Sequence, residues 1–208
     1  ELKTELNSIW KILTMTLQCF EYSYYLYSPR TDSEKHYADK SFFIDFTRHI
    51  YWRNLIIELA KLITNNKKTQ KFNIFHLLNK LKKDGYFSKL GLEKDKISDW
   101  EKLLKENDNT INEILILRNK IYSHTDRDKE KFTNSDLTFE KIDKVIGLVK
   151  VILKEIYSII LDTHAEIQPL SLVDDNFKIL VILADEKEKR IQKRVNKFIK
   201  DTNMNKKE

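Results

Sequence analysis

The sequence is poor in the residues that make tight turns or covalent staples: its 208 residues include 3 Gly, 2 Pro and 1 Cys. Doubly wound dinucleotide folds, P-loop enzymes and β-sandwiches need glycines at phosphate loops or turns, and three are too few to supply them. A lone cysteine, Cys19, excludes an intramolecular disulfide. Its apolar and aromatic neighbours make it read as a buried thiol in a reducing compartment. Paired cysteines and closely spaced histidines are lacking too. His36, His49, His76, His124 and His164 are scattered, so no zinc site, other metal or cofactor is expected. Long apolar runs are also missing, because the most apolar stretch, Val145 to Leu161, is broken by Lys150, Lys154 and Glu155. That excludes a transmembrane helix, and with no N-terminal signal pattern visible the expectation is a cytoplasmic protein with no membrane partner.

Charge, by contrast, is abundant. Lys and Arg number 38 against 32 Asp and Glu, giving +6 and a sequence pI near 9.1. The excess is local: Asn65 to Lys96 holds nine Lys against three acidic residues, and Asp185 to Glu208 holds nine Lys plus Arg against five. Two readings stand at this level. A basic surface can track a phosphate backbone, or these segments are a solvated loop and tail in a chain whose Lys, Ile and Asn bias follows from AT-rich coding.

Apolar periodicity predicts helices nearly throughout. The first runs from about Lys3 to Tyr27 and ends at Ser28-Pro29. A polar connector, Arg30 to Lys40, leads to a second helix over about Ser41 to Thr64, followed by a basic loop, Asn65 to Lys71. A short helix, Asn73 to Lys83, is expected to close at Asp84-Gly85 with glycine in the left-handed position. The fourth helix is expected to start at a capping box, Ser98 with Glu101. Trp100, Leu104, Asn107, Ile111, Ile114, Arg118 and Ile121 then share one face. Beyond a charged loop, a helix from near Thr138 to about Ile167 opens with a Leu137–Ile142 hydrophobic staple, and a last amphipathic helix covers about 174–200. The fold class is all-α: an antiparallel bundle of about four long helices plus a short helix and a C-terminal helical extension, one domain over 1–208 with its core at about 41–167.

Within this scaffold, Ile114-Leu-Ile-Leu-Arg118-Asn119-Lys120-Ile-Tyr-Ser-His124-Thr-Asp126-Arg127 carries the chemistry-bearing residues. Arg118 presents planar, permanently charged donors suited to phosphate, and His124 is the side-chain type whose proton equilibrium lies nearest neutrality. RNA cleavage without metal needs these two functions. A base removes the 2′-hydroxyl proton, and a fixed cation stabilises charge on the phosphoryl oxygens. Arg118 sits on an apolar stripe, where an unpaired guanidinium is costly, so a partner or a solvent-lined cleft is implied. On an ideal helix the six-residue offset separates the two residues by roughly 120° and about 9 Å, so they converge only if the helix ends or loosens near Ser123. The competing reading is that both residues cap carbonyls at a helix C-terminus. Arg30 and His36 repeat the same offset in a polar connector and read as a decoy, while His49 and Arg53, one helical turn apart, and His76 and His164 favour structural roles.

The run Arg118-Asn119-Lys120-Ile121-Tyr122-Ser123-His124 resembles the R-x(4–6)-H signature of the HEPN (higher eukaryotes and prokaryotes nucleotide-binding) superfamily. With Asp126, the charged loop, the long helix beyond it and the segment Ile63 to Leu81, it looks most like the abortive-infection U-type branch over roughly Ser41 to Ile167. The resemblance implies an all-helical homodimer with Arg and His of both protomers in an interfacial cleft, and a metal-independent endoribonuclease used as a toxin or in phage defence, with RNA and a possible antitoxin protein as partners. It implies that Arg118 stabilises the scissile phosphate and His124 acts as general base or acid. Asn119, Lys120, Asp126 and Arg127 are supporting or RNA-binding candidates. In one HEPN subgroup a Tyr two residues after the His is adenylylated; here that position is Asp126, so that regulation is not implied. The alternatives are a catalytically silent HEPN bundle that binds RNA, a nucleotide or a partner protein, and a purely structural helical protein.

Overall fold

A computed structural model describes residues 1–65, 71–122, 136–171 and 178–204. These residues form α-helices α1 (Leu2–Tyr27), α2 (Asp32–Lys40), α3 (Phe42–Ile63), α4 (Ile74–Leu81), α5 (Lys94–Glu106), α6 (Asp108–Ile116), α7 (Phe139–Leu161) and α8 (Lys178–Met204). A 3-10 turn, Ser88–Leu90, and a π-helical segment, Leu117–Tyr122, complete the set, and no strand occurs among the described residues. The chain is an all-α helical bundle, and none of its described helices is long and apolar enough to cross a membrane.

Two compact units make up the chain. The larger comprises Glu1–Glu21 and Tyr51–Leu170, the smaller Tyr22–Ile50 and Ser171–Glu208. In the larger unit Leu6, Ile9 and Leu13 of α1 share one core with Leu55, Leu59 and Leu62 of α3, Leu77 and Leu78 of α4, Trp100 of α5, Ile114 of α6 and Val149 and Ile152 of α7. Each buried aliphatic side chain contributes about 1.5–3 kcal/mol, so this cluster dominates the unit's stability. Polar ties fix its helices: Lys80 Nζ meets Glu5 Oε2 at 2.5 Å, Tyr157 Oη donates to Asn7 Oδ1 at 3.1 Å, and Trp10 packs edge-on against Tyr157 at 5.3 Å. Cys19 is buried here, and burial first, with the Glu58 charge second, pushes its thiol up to about 11.

The smaller unit is held by different chemistry. Tyr25 Oη accepts the Leu180 backbone N–H at 3.1 Å, Lys187 stands over the Tyr37 ring at 5.2 Å, and Arg48 covers Tyr27 while pairing with Asp45 at 2.8 Å. Its helix α2 replaces the polar connector expected over Arg30 to Lys40. Thr31 and Glu34 form a capping box: the Thr31 hydroxyl accepts from the Glu34 N–H, and the buried Glu34 carboxylate accepts from the N–H groups of Arg30 and Thr31 at 2.6 and 3.2 Å. The T-x-x-E spacing was present in the sequence; the polar composition around it obscured a nine-residue helix with little apolar periodicity.

Several expected boundaries move, each for a physical reason. Helix α5 begins at Lys94, a turn before the supposed Ser98 cap, because Ile97 is buried on the same face as Trp100 and Leu104. Lys96 and Trp100 both also reach Glu155 of α7, at 3.0 and 2.5 Å. Burying Ile97 is worth about 1.5–3 kcal/mol against about 1 for a cap. Glu101, freed from capping, pairs with Lys82 at 2.5 Å. The fourth helix is not continuous: the Asn107 side chain donates to the Leu103 carbonyl at 2.8 Å, and its backbone leaves the helical region between α5 and α6. Helix α4 ends at an extended Lys82, and Gly85 is not the left-handed residue. Gly85 instead lies so close to Lys80 that a Cβ would stand 2.3 Å from its carbonyl oxygen; the left-handed glycine is Gly91, φ 73°. Helix α7 stops at Leu161 with a left-handed Asp162, and the segment to Pro169 is not helical, yet it buries Ala165 and Ile167 in the core. The expected staple at its start is in place, with Leu137 and Ile142 both buried and Thr138 accepting the Lys141 N–H.

Candidate active site

Helix α6 carries Ile111 and Ile114 into the core and then loosens: from Leu117 to Tyr122 the backbone is π-helical, with i→i+5 rather than i→i+4 hydrogen bonds. Such segments are uncommon and recur at functional sites. Arg118 is its second residue. The π geometry begins at Leu117, one residue before Arg118; the expected loosening near Ser123 lies outside the described residues.

The guanidinium of Arg118 is half-buried, and its Nη2 donates to Thr64 Oγ1 at 3.1 Å. Thr64 follows the last turn of α3 and is buried, and its own hydroxyl proton goes back to the Ala60 carbonyl at 2.5 Å. The oxygen that receives Arg118 is therefore fixed in orientation by the helix it terminates. This is the partner that an arginine on an apolar stripe requires, since a guanidinium with no acceptor would lose several kcal/mol on burial. Thr64 is a candidate that sequence reasoning missed: it lies 54 positions from Arg118 and reads as an ordinary helix-end threonine.

Asn119 follows Arg118 and is exposed, and Lys120 lies in the same π-helical segment. His124, Asp126 and Arg127 fall outside the described residues, as does Lys67-Lys68 of the basic loop. Of the lower-ranked histidines, His36, His49 and His164 are exposed. His76, half-buried near the start of α4, lines a cleft of about 400 Å³ with Glu5, Lys71, Phe72 and Lys80; Arg118 is not among the residues of that cleft.

An all-helical chain with an Arg-Asn-Lys run on a loosened helix end, followed by a charged segment and a long apolar helix, has the architecture of a HEPN domain. The family model for AbiU2, of the HEPN class, matches residues 1–176, and the chain belongs to that family. The match takes in α1, which the resemblance from about Ser41 onward had left out. Comparison with curated proteins and with solved structures finds no match.

Proposed function

We propose that this AbiU2-family chain is a metal-independent endoribonuclease, with Arg118 and His124 as its catalytic pair and a role as toxin or phage-defence effector. The observation that carries the reading is the anchoring of Arg118: a permanently charged, planar donor is set on a π-helical turn and held through one nitrogen by Thr64. That tether engages a single nitrogen of a group with five N–H donors, so the guanidinium is oriented while keeping capacity for phosphoryl oxygens.

In the proposed reaction His124 takes the proton of the ribose 2′-hydroxyl. The 2′-oxygen attacks the adjacent phosphorus, and Arg118 stabilises the charge on the non-bridging oxygens. The bond to the 5′-oxygen breaks, and that oxygen takes up a proton, from His124 of a second copy in a dimeric site. The products are a 2′,3′-cyclic phosphate and a 5′-hydroxyl. Asn119, Lys120, Asp126 and Arg127 would orient the site or hold the strand, and the whole chain would work as one HEPN-type domain.

The purified chain is expected to cut a generic RNA in excess EDTA, with Arg118→Ala and His124→Ala each abolishing cleavage while leaving thermal unfolding near that of the parent. Absence of cleavage, or cleavage that survives both substitutions, overturns the proposal. RNA bound but left intact would make the chain a non-catalytic binding module.

A further inference from the structure

Helix α8 divides into two halves with different surroundings. Up to Glu188 it is anchored within its unit: Leu180 and Ala184 are buried, Lys187 covers Tyr37, and Ser33 Oγ donates to Glu188 Oε2 at 3.5 Å. From Lys189 to Lys200 every residue is exposed, and these twelve residues hold six Lys or Arg and no acid. At roughly 100° per residue, Ile191, Val195 and Phe198 fall within about 60° of one another, in line with the buried Leu180 and Ala184. Lys189, Lys193, Lys197 and Lys200 span about 80° on the opposite side.

This arrangement works against the helix that carries it. A helical stretch of this length without packing is marginal in water. Lys189 with Lys193, Arg190 with Arg194, and Lys193 with Lys197 are like-charge pairs at four-residue spacing, each unfavourable to the helix. The field is felt at its edge, where the Glu186 carboxyl is held below its ordinary range, first by the Arg190 hydrogen bond and charge and then by Lys189 and Lys193. Apart from the Arg190–Glu186 pair at 3.0 Å, these cations make no ion pair among the described residues, and crowding of one sign points to an anionic partner.

The chemistry of the arc selects among such partners. A protein surface is bound through apolar or aromatic anchors set within the contact, and this arc has none. A helix lying on an anionic bilayer sinks its apolar stripe into it, whereas the stripe here continues the line of Leu180 and Ala184, the side that α8 buries within its own unit. Four flexible point charges along about 16 Å match a chain of phosphates. We infer that the Lys189–Lys193–Lys197–Lys200 face of α8 binds the phosphate backbone of RNA; the choice of RNA rests on the ribonuclease reading above.

The test is the salt dependence of binding by the full chain to a single-stranded 2′-O-methyl RNA, which offers no 2′-hydroxyl and stays uncut. Each neutralised phosphate adds about 0.7 to the slope of log affinity against log salt on single strands. Replacing all four lysines by Gln is expected to flatten that slope by about 2.8, so that a fourfold rise in salt costs the parent about 50-fold more affinity than the variant. The double variant Lys193→Gln/Lys197→Gln is expected to show about half that change, and both should keep the parent's helical circular dichroism because repulsion is relieved. A slope that moves by less than about 0.7 in the quadruple variant overturns the inference. So does capture by phosphatidylserine vesicles that depends on the four lysines while RNA binding does not. A flattened slope in a chain that never cuts ordinary RNA keeps this inference and removes the ribonuclease reading; cleavage with an unchanged slope does the reverse.

Discussion

Thr64→Val isolates what the Arg118 tether contributes. Valine keeps the shape of threonine and removes one oxygen, so two hydrogen bonds go: the one from Arg118 Nη2 at 3.1 Å and the one to the Ala60 carbonyl. A hydrogen bond to a charged group is worth about 1.5–3 kcal/mol, and Arg118 is half-exposed, so water replaces part of the loss and the lower end applies. If the tether orients the guanidinium for the transition state, about 1.5 kcal/mol appears as a fall in kcat of roughly tenfold, since 1.4 kcal/mol is a factor of ten. KM for a long RNA should change little, because the charge itself is still present. Thr64→Ser keeps the oxygen and should restore most of the rate. The assay is steady-state cleavage of a labelled RNA in EDTA, with thermal unfolding recorded alongside. An unchanged kcat in Thr64→Val, in a protein that Arg118→Ala inactivates, would refute the positioning role. Equal losses in Thr64→Val and Thr64→Ser would assign the effect to packing.

Other consequences are independent of catalysis. With its thiol raised from 9.0 to about 11 by burial, Cys19 stays protonated when folded at pH values where the unfolded chain ionises. Stability should therefore fall as pH rises from about 9 to 11, by up to about 2–3 kcal/mol, and Cys19→Ala should flatten that part of a urea-denaturation profile against pH. Glu34→Ala should destabilise the protein by about 1–3 kcal/mol in denaturant titrations, because the Arg30 and Thr31 N–H groups lose their shared acceptor; a change below about 0.5 would contradict the capping box. Gly85→Ala and Gly147→Ala should move melting temperature in opposite directions. A Cβ at Gly85 meets the Lys80 carbonyl oxygen at 2.3 Å, whereas at Gly147, inside α7, it meets nothing within 4 Å and gains up to about 1 kcal/mol of helix propensity.

The helical character of the chain was legible because apolar residues three and four apart report the face that will be buried, and that face is a local property. Leu6, Ile9 and Leu13 of α1 stand at that spacing and are buried, as is Ile63 of α3; Phe42 and Phe46 stand on the same kind of stripe in α3 and are exposed, because spacing marks a face and not what packs against it. Helix ends were less legible. Ser98 with Glu101 satisfied the rule for a cap, yet the helix begins at Lys94, because burying Ile97 and meeting Glu155 from another helix outweigh one capping pair. Thr31 with Glu34 satisfied the same rule and does cap a helix, in a stretch too polar for periodicity to mark.

The scarcity of glycine and proline and the 3.6-residue periodicity by themselves determined an all-helical chain, because helix formation and apolar patterning depend on neighbours within a few residues; the HEPN family was legible through the resemblance carried by the Arg118-to-His124 run, and the family-model match bears it out. What only the tertiary structure decided is how Arg118 is held. A cation on an apolar face must find an acceptor, and the one it finds, Thr64 at the end of α3, is brought within 3.1 Å by packing between helices far apart in sequence, on a turn whose backbone has loosened to π geometry.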